Sequence, residues 1–155
     1  MCLRLKSETY NKPKVANKDI VCYKVLSRVT NPFYVDDENT PEEPINHYYT
    51  PWMWTPVPQE VIDGKAPLMP VDKRPSFEIY QSHMLSEDKP HYYCAGGGIH
   101  TFKQLGSAKR YSGTGNVIFE CIIPKGTEYV EGTTAMRLKH AAYVSRGIRI
   151  IRECV

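Results

Sequence analysis

Apolar residues in this chain fall in short runs or in strict alternation, and only once do they recur at helical spacing. Residues 19–26 bring together Ile20, Val21, Cys22, Tyr23, Val25 and Leu26 between polar flanks, which predicts a central strand. Residues 116–123 alternate more cleanly, with Val117, Phe119, Cys121 and Ile123 on one face and Ile118, Glu120 and Ile122 on the other. Pro124, Lys125 and Gly126 close that strand with turn residues. Further strands are predicted over 92–95, 98–102, 128–130, 141–144 and 147–152, with a surface loop over 131–140. The one helical period lies over 103–111, where Leu105, Ala108 and Tyr111 stand three apart and form an apolar stripe interrupted by Gly106.

Between residues 32 and 90 the pattern breaks. Ten of the twelve prolines fall there, so no helix persists for more than about a turn. Structureless loops of that length are uncommon inside a domain, so the excursion is expected to hold short strands or to pack as a cover, with 76–85 the best candidate for a regular element. Residues 47–54 hold Tyr48, Tyr49 and both tryptophans, Trp52 and Trp54. That much aromatic surface either anchors the excursion on the body or offers a stacking platform to a ligand. The expected fold is a single α+β domain over residues 1–155: a small, mainly antiparallel or mixed sheet, one or two short helices, and a Pro-rich excursion over 32–90 packed on the body. Val21, Val25, Phe119, Cys121, Ile123, Ile148 and Ile150 are its predicted core.

Composition narrows the class. A chain of 155 residues buries roughly 70% of the surface its unfolded form exposes, enough for a core without disulfides or a structural metal. With 41% hydrophobic and 24% charged residues it matches ordinary soluble domains. No apolar run approaches the ~20 residues of a membrane-spanning helix, so no membrane partner is expected. Charges at Arg4 and Lys6 interrupt the opening residues, which reads as a non-secreted, cytoplasmic protein in a reducing compartment. Cys2, Cys22, Cys94, Cys121 and Cys154 are odd in number and widely spaced, with no C-x-x-C pair, so neither a disulfide framework nor a metal site is expected. Cys22 and Cys121 read as small core residues. The net charge of +3 hides a pattern: residues 1–35 carry seven Lys/Arg against two acids, 36–95 four against eleven, and 96–155 nine against four. Basic ends and an acidic middle can satisfy each other, so nucleic acid is not the favoured partner.

Two residues stand out chemically. Glu120 places a charge within an otherwise apolar strand and has to be exposed, paired or used. His100, after Gly96, Gly97 and Gly98, ranks first among the histidines as a ligand donor or a base near neutral pH. The triple glycine lacks the Gly-Lys-Ser/Thr ending of a phosphate loop and the spacing of a dinucleotide fingerprint, so a bulge or close backbone approach is its reading. Arg146, Arg149 and Arg152 recur every three residues, and in a strand Arg146 and Arg152 share a face that Arg149 does not. No nucleophilic triad signature occurs.

Two resemblances attach to these residues. Residues 19–26, 98–102 and 123–127 together resemble a group of small uncharacterised proteins from phages and gut bacteria, which implies an accessory protein of a phage or mobile element acting inside a bacterial host cell. Residues 98–129 also resemble ADP-ribosyltransferases, whose split mixed sheet binds NAD. That resemblance implies that Glu120 orients the ribose and stabilises its cation-like form as nicotinamide leaves, and that an aromatic such as Tyr111 lines the nicotinamide pocket. The chain departs from the pattern at Ile118, where toxin-like members carry Glu or Gln, and at Tyr23 and Lys24, where they carry Arg or His. The leading expectation is a non-catalytic accessory protein binding a protein or a small nucleotide-like ligand between sheet and cover, with Trp52, Trp54, His100 and Tyr111 as contacts and no cofactor. The alternatives are an NAD-dependent transferase using Glu120, with NAD as cofactor, and a virion structural component.

Overall fold

The two strongest strand signals pair with each other. In the computed structural model, residues 20–30 and 116–123 run antiparallel, with Ile20 opposite Ile123, Cys22 opposite Cys121 and Ser27 opposite Asn116. The structure describes residues 3–5, 13–30, 46–51, 55–70, 78–81, 93–134 and 139–154. In chain order these form β1 (Leu3–Leu5), β2 (Lys14–Val15), β3 (Ile20–Thr30), β4 (Asn46–Tyr49), β5 (Pro56–Val57), α1 (Gln59–Ile62), β6 (Glu78–Gln81), β7 (Tyr93–Gly96), β8 (Ile99–Phe102), α2 (Leu105–Ser112), β9 (Asn116–Ile123), β10 (Glu128–Thr134), β11 (Ala141–Ser145) and β12 (Arg149–Cys154).

All twelve strands join one sheet, in the order β12-β9-β3-β8-β11-β10-β1-β7-β6, with β2 also on β10 and the β4–β5 pair also on β3. Every strand pairing among the described residues is antiparallel. The architecture is therefore sheet-dominated. The expected small sheet is an extensive one, and the helices are two short elements of four and eight residues. The excursion supplies β4, β5, α1 and β6, and the regular element expected within 76–85 is the strand β6. The predicted loop over 131–140 is overturned as far as Thr134, because pairing with β11 carries β10 through Glu131, Gly132 and Thr133.

Strand alternation divides the core into two faces. On the first, Cys22, Leu26, Val117, Phe119, Cys121, Ile123, Ile99, Tyr143 and Ile150 meet the cover, Val57, Val61 and Leu68, with the Tyr48 ring edge-on to Phe119 at 5.4 Å. On the second, α2 lays Ala108, Leu105 and Tyr111 against Val25, Phe102 and Ile118. The stripe predicted over 103–111 is thus the packed face of α2. Of the predicted core only Val21 fails: it is 49% exposed, on the second face and outside the α2 cluster. Pro124 accepts from the Thr127 amide at 3.0 Å, with Gly126 at φ +88°, so Lys125 and Gly126 are the central turn residues.

The excursion also protects a sheet edge. Leu68 and Ile148 form an isolated antiparallel bridge, and the turn after α1 approaches β12 closely enough that a Cβ on Gly64 would lie 2.6 Å from the Ile150 carbonyl oxygen. Arg149 donates to the Gly64 carbonyl at 3.3 Å. At Ile148 and Ile150 the excursion occupies the place that another strand would take.

Candidate functional site

The sheet forks at β3. Along one edge β9 follows it without a break from Ile20 to Ser27. Along the other, β8 pairs only where Phe102 faces Tyr23, and β4 takes over from Ser27 to Thr30. Residues 24–26 lie between the two partners, and Lys24 occupies this gap on the face it shares with Cys22 and Leu26. Its Nζ donates to the His100 carbonyl oxygen of β8 at 3.0 Å.

The ammonium end of Lys24 is enclosed by protein, while the residue as a whole keeps some accessible surface. Burial pulls its pKa down to about 8, opposed in part by the Cys121 and Cys22 thiols. An ammonium carries three donors, and one hydrogen bond is formed here. No carboxylate among the described residues is paired with it.

The groups around the fork are polar and under-satisfied. Thr101 is fully buried, and its Oγ1 has no hydrogen-bond partner beyond an interaction with the Cys22 thiol. The His100 Nε2 is buried and unpartnered as well. Burial, with the Lys24 charge second, pushes the His100 imidazole down to about 4, so it is neutral at pH 7. Cys22 and Cys121, free and fully buried opposite one another, are held protonated by burial, Cys22 with its pKa pushed up to about 12. Thiols in that state are poor nucleophiles. Tyr143, opposite Thr101 on β11, is also raised by burial. On the first face the cluster offers one cation, a hydroxyl and no negative charge, which suits the recognition of a polar or anionic group, and the neutral imidazole of His100 lies on the second face.

The sequence-predicted residues are distributed differently. Glu120 lies on the second face of β9, opposite Tyr23 on one side and Arg152 on the other. Its Oε2 accepts from the Arg152 Nε at 2.7 Å, with the glutamate side chain 22% exposed and the arginine 72%. The charge predicted to be exposed, paired or used is paired. Tyr111 packs its ring on Phe102 at 5.1 Å, on the same face as His100 by the alternation of β8. Trp52 and Trp54 lie outside the described residues. A register shift between Ile150 and Arg152 changes the arginine parity: Arg149 faces Ile122 and Arg152 faces Glu120, so these two share a face, contrary to the unbroken alternation expected. The triple glycine joins β7 to β8, with Gly97 at φ +76° and its carbonyl accepting from the Arg146 guanidinium.

Sequence reasoning missed Lys24, Thr101 and the thiol pair as members of one site. The available signal was parity, because Lys24 is two residues from both Cys22 and Leu26 and so falls on the buried face of an apolar strand.

The histidine makes a testable contribution to acid stability. Its pKa is lower in the folded than in the unfolded chain, so the stability it supports is full above pH 6.5 and is lost as pH falls toward 4. His100→Gln is expected to flatten the urea-denaturation midpoint over that window. The difference from the wild type should be on the order of 1–2 kcal/mol at pH 4, residual solvent contact softening the full effect. Parallel pH profiles for the two proteins would show that His100 does not titrate in this way.

No family model, curated protein or solved structure matches the chain. Among the described residues no helix is long and apolar enough to cross a membrane, and no cluster of three or more His, Cys, Asp or Glu could hold a metal ion.

Proposed function

We propose that this protein is a non-catalytic accessory protein that binds a small nucleotide-like ligand at the fork between β8 and β4, beneath the cover formed by β4, β5 and α1. The observation that carries the reading is that the enclosed Lys24 ammonium makes one hydrogen bond and meets no carboxylate among the described residues, on the same face as the buried Thr101 Oγ1, whose one interaction is with the Cys22 thiol. Buried polar groups left without partners cost on the order of 1–3 kcal/mol each. A ligand that supplies the missing partners recovers that cost on binding. A setting inside a bacterial cell, in association with a phage or mobile element, rests on the resemblance of residues 19–26, 98–102 and 123–127 alone.

A second reading keeps Glu120 as the acid of an NAD-dependent transferase. It is favoured by one feature: Arg152 fixes the carboxylate in a defined position on a face that stays partly accessible. The two readings separate in one thermal-shift titration with NAD and a panel of linear and cyclic nucleotides. Saturable stabilisation is expected, roughly 5–10 °C at a hundredfold excess over Kd. A response to several nucleotides without turnover supports the binding reading. NAD hydrolysis that Glu120→Gln abolishes moves the transferase reading ahead, and a flat response across the panel removes both.

A further inference from the structure

Resting on that reading, we propose that the part of the ligand seated at the fork is a phosphate group held by the Lys24 ammonium. The fork spans residues 24–26 of β3, bounded by β8 at Tyr23 and by β4 from Ser27, and Lys24 is the charged residue within it. Its cation makes one hydrogen bond, to the His100 carbonyl, which leaves two ammonium donors for a ligand. Thr101 Oγ1, fully buried on the same face of the sheet as Lys24, adds a hydroxyl there.

The sign of the site is set by what faces it. Cys22 from β3 and Cys121 from β9 are the titratable groups beside it, with Tyr143 of β11 beyond Thr101 and the His100 imidazole of β8 on the opposite face, and all four are neutral at pH 7. No carboxylate among the described residues balances the lysine. A phosphate would therefore be the first negative charge that Lys24 meets in this low-dielectric setting, where charge-assisted hydrogen bonds are strong. Burial holds the free lysine near pKa 8, and an anion alongside raises it again. Above pH 8 the free site is mainly an amine, so binding takes a proton from solvent to restore the ammonium. The affinity then weakens by up to about tenfold per pH unit, because the competent protonation state becomes scarce.

The test is calorimetric titration with AMP and with adenosine at pH 7.5 and 9.5, the phosphate being a dianion at both. Alongside it, the Lys24 13Cε resonance is followed through a pH titration with and without AMP. AMP is expected to bind roughly twentyfold more weakly at pH 9.5, with proton uptake approaching one per site. The Lys24 midpoint should rise by at least about two units in the complex. Lys24→Met should weaken AMP by roughly a hundredfold and leave adenosine unchanged, and the resonance shift in the wild type carries the test even if that variant fails to fold. Inorganic phosphate that moves the same resonance supports the phosphate site and identifies the free anion as sufficient. Adenosine binding as tightly as AMP, or AMP affinity independent of pH, would overturn this proposal and leave the nucleotide reading standing. No heat and no resonance change with any probe would overturn both.

Discussion

Lys24→Met is expected to raise the stability of the unliganded protein by about 2–3 kcal/mol at pH 7. Lysine is charged at pH 7 in both folded and unfolded chains, but the folded chain holds that charge inside the sheet fork with one carbonyl as partner. A pKa near 8 in place of the usual 10.5 corresponds to a cost of about 3 kcal/mol for keeping the proton. Methionine retains the length and the packing of the stem and removes the charge. Replacing a buried charge with an apolar residue of similar volume is commonly neutral or stabilising, whereas removing the partner of a buried pair is not. The absence of a carboxylate partner among the described residues places Lys24 in the first class.

The pH dependence distinguishes this cause from a general packing effect. Between pH 8 and 10.5 the unfolded lysine keeps a proton that the folded one releases, so the wild type gains stability through that window relative to the variant. The methionine variant's advantage should shrink by about 1.4 kcal/mol per pH unit from pH 8 upward. The thiols act in the opposite sense. Cys22 and Cys121 stay protonated in the folded chain above pH 9 while their unfolded forms ionise, so both proteins lose stability there. Urea denaturation at half-unit steps from pH 6.5 to 9.5, read as the difference between the two proteins, isolates the lysine. A variant less stable than the wild type at pH 7, or a difference that does not change with pH, would mean that the ammonium is already neutralised in the free protein. A charge retained at a cost in stability is what a binding site requires and what a core does not.

How far the sequence reveals this arrangement depends on whether the determinant is local. β9 is legible to the residue, since its alternation and its Pro124 to Gly126 stop are both local signals. The packed stripe of α2 is legible for the same reason. β10 outruns its prediction because Gly132 breaks the local strand pattern, and the residues around it are held in the sheet by β11 and β1, partners that no local signal reveals. Val21 alternates correctly with Cys22, yet nothing local says that α2 stops short of covering it. The same limit applies to the chemistry. A charge in an apolar strand singles out Glu120, and it is answered by Arg152, a partner brought opposite only by a register shift. Applied to Lys24 the argument has more force, because parity puts that residue on the main core face, but the fork itself is made by segments about 20 and 80 residues away in sequence and has no local signature.

Gly64→Ala is expected to destabilise the protein by about 2–4 kcal/mol, and the reason is likewise non-local. After Asp63, Gly64 ends α1 in a left-handed conformation, with its amide donating to the Val61 carbonyl at 3.1 Å and the Lys65 amide to the Glu60 carbonyl at 2.9 Å. That pairing is the glycine-terminated helix stop in which φ is positive, here +74°. An alanine at this φ carries about 1 kcal/mol or more of strain by itself. The added Cβ would also stand 2.6 Å from the Ile150 carbonyl oxygen, a main-chain atom of β12 that cannot rotate away. The turn must lift off the strand edge, which loosens the Arg149 contact to the Gly64 carbonyl and the Leu68–Ile148 bridge behind it. Gly106→Ala is the matched control. Its Cβ would meet nothing within 4 Å, and it sits in a helix, where alanine is the better residue by about 0.5–1 kcal/mol. Chemical denaturation of the two variants should therefore move the midpoint in opposite directions. Equal shifts, or a Gly64→Ala midpoint like that of the wild type, would mean that the α1 turn does not rest against β12 in solution, and the cover over the first face would then be held by its apolar contacts, Val57, Val61, Leu68 and Tyr48 among them.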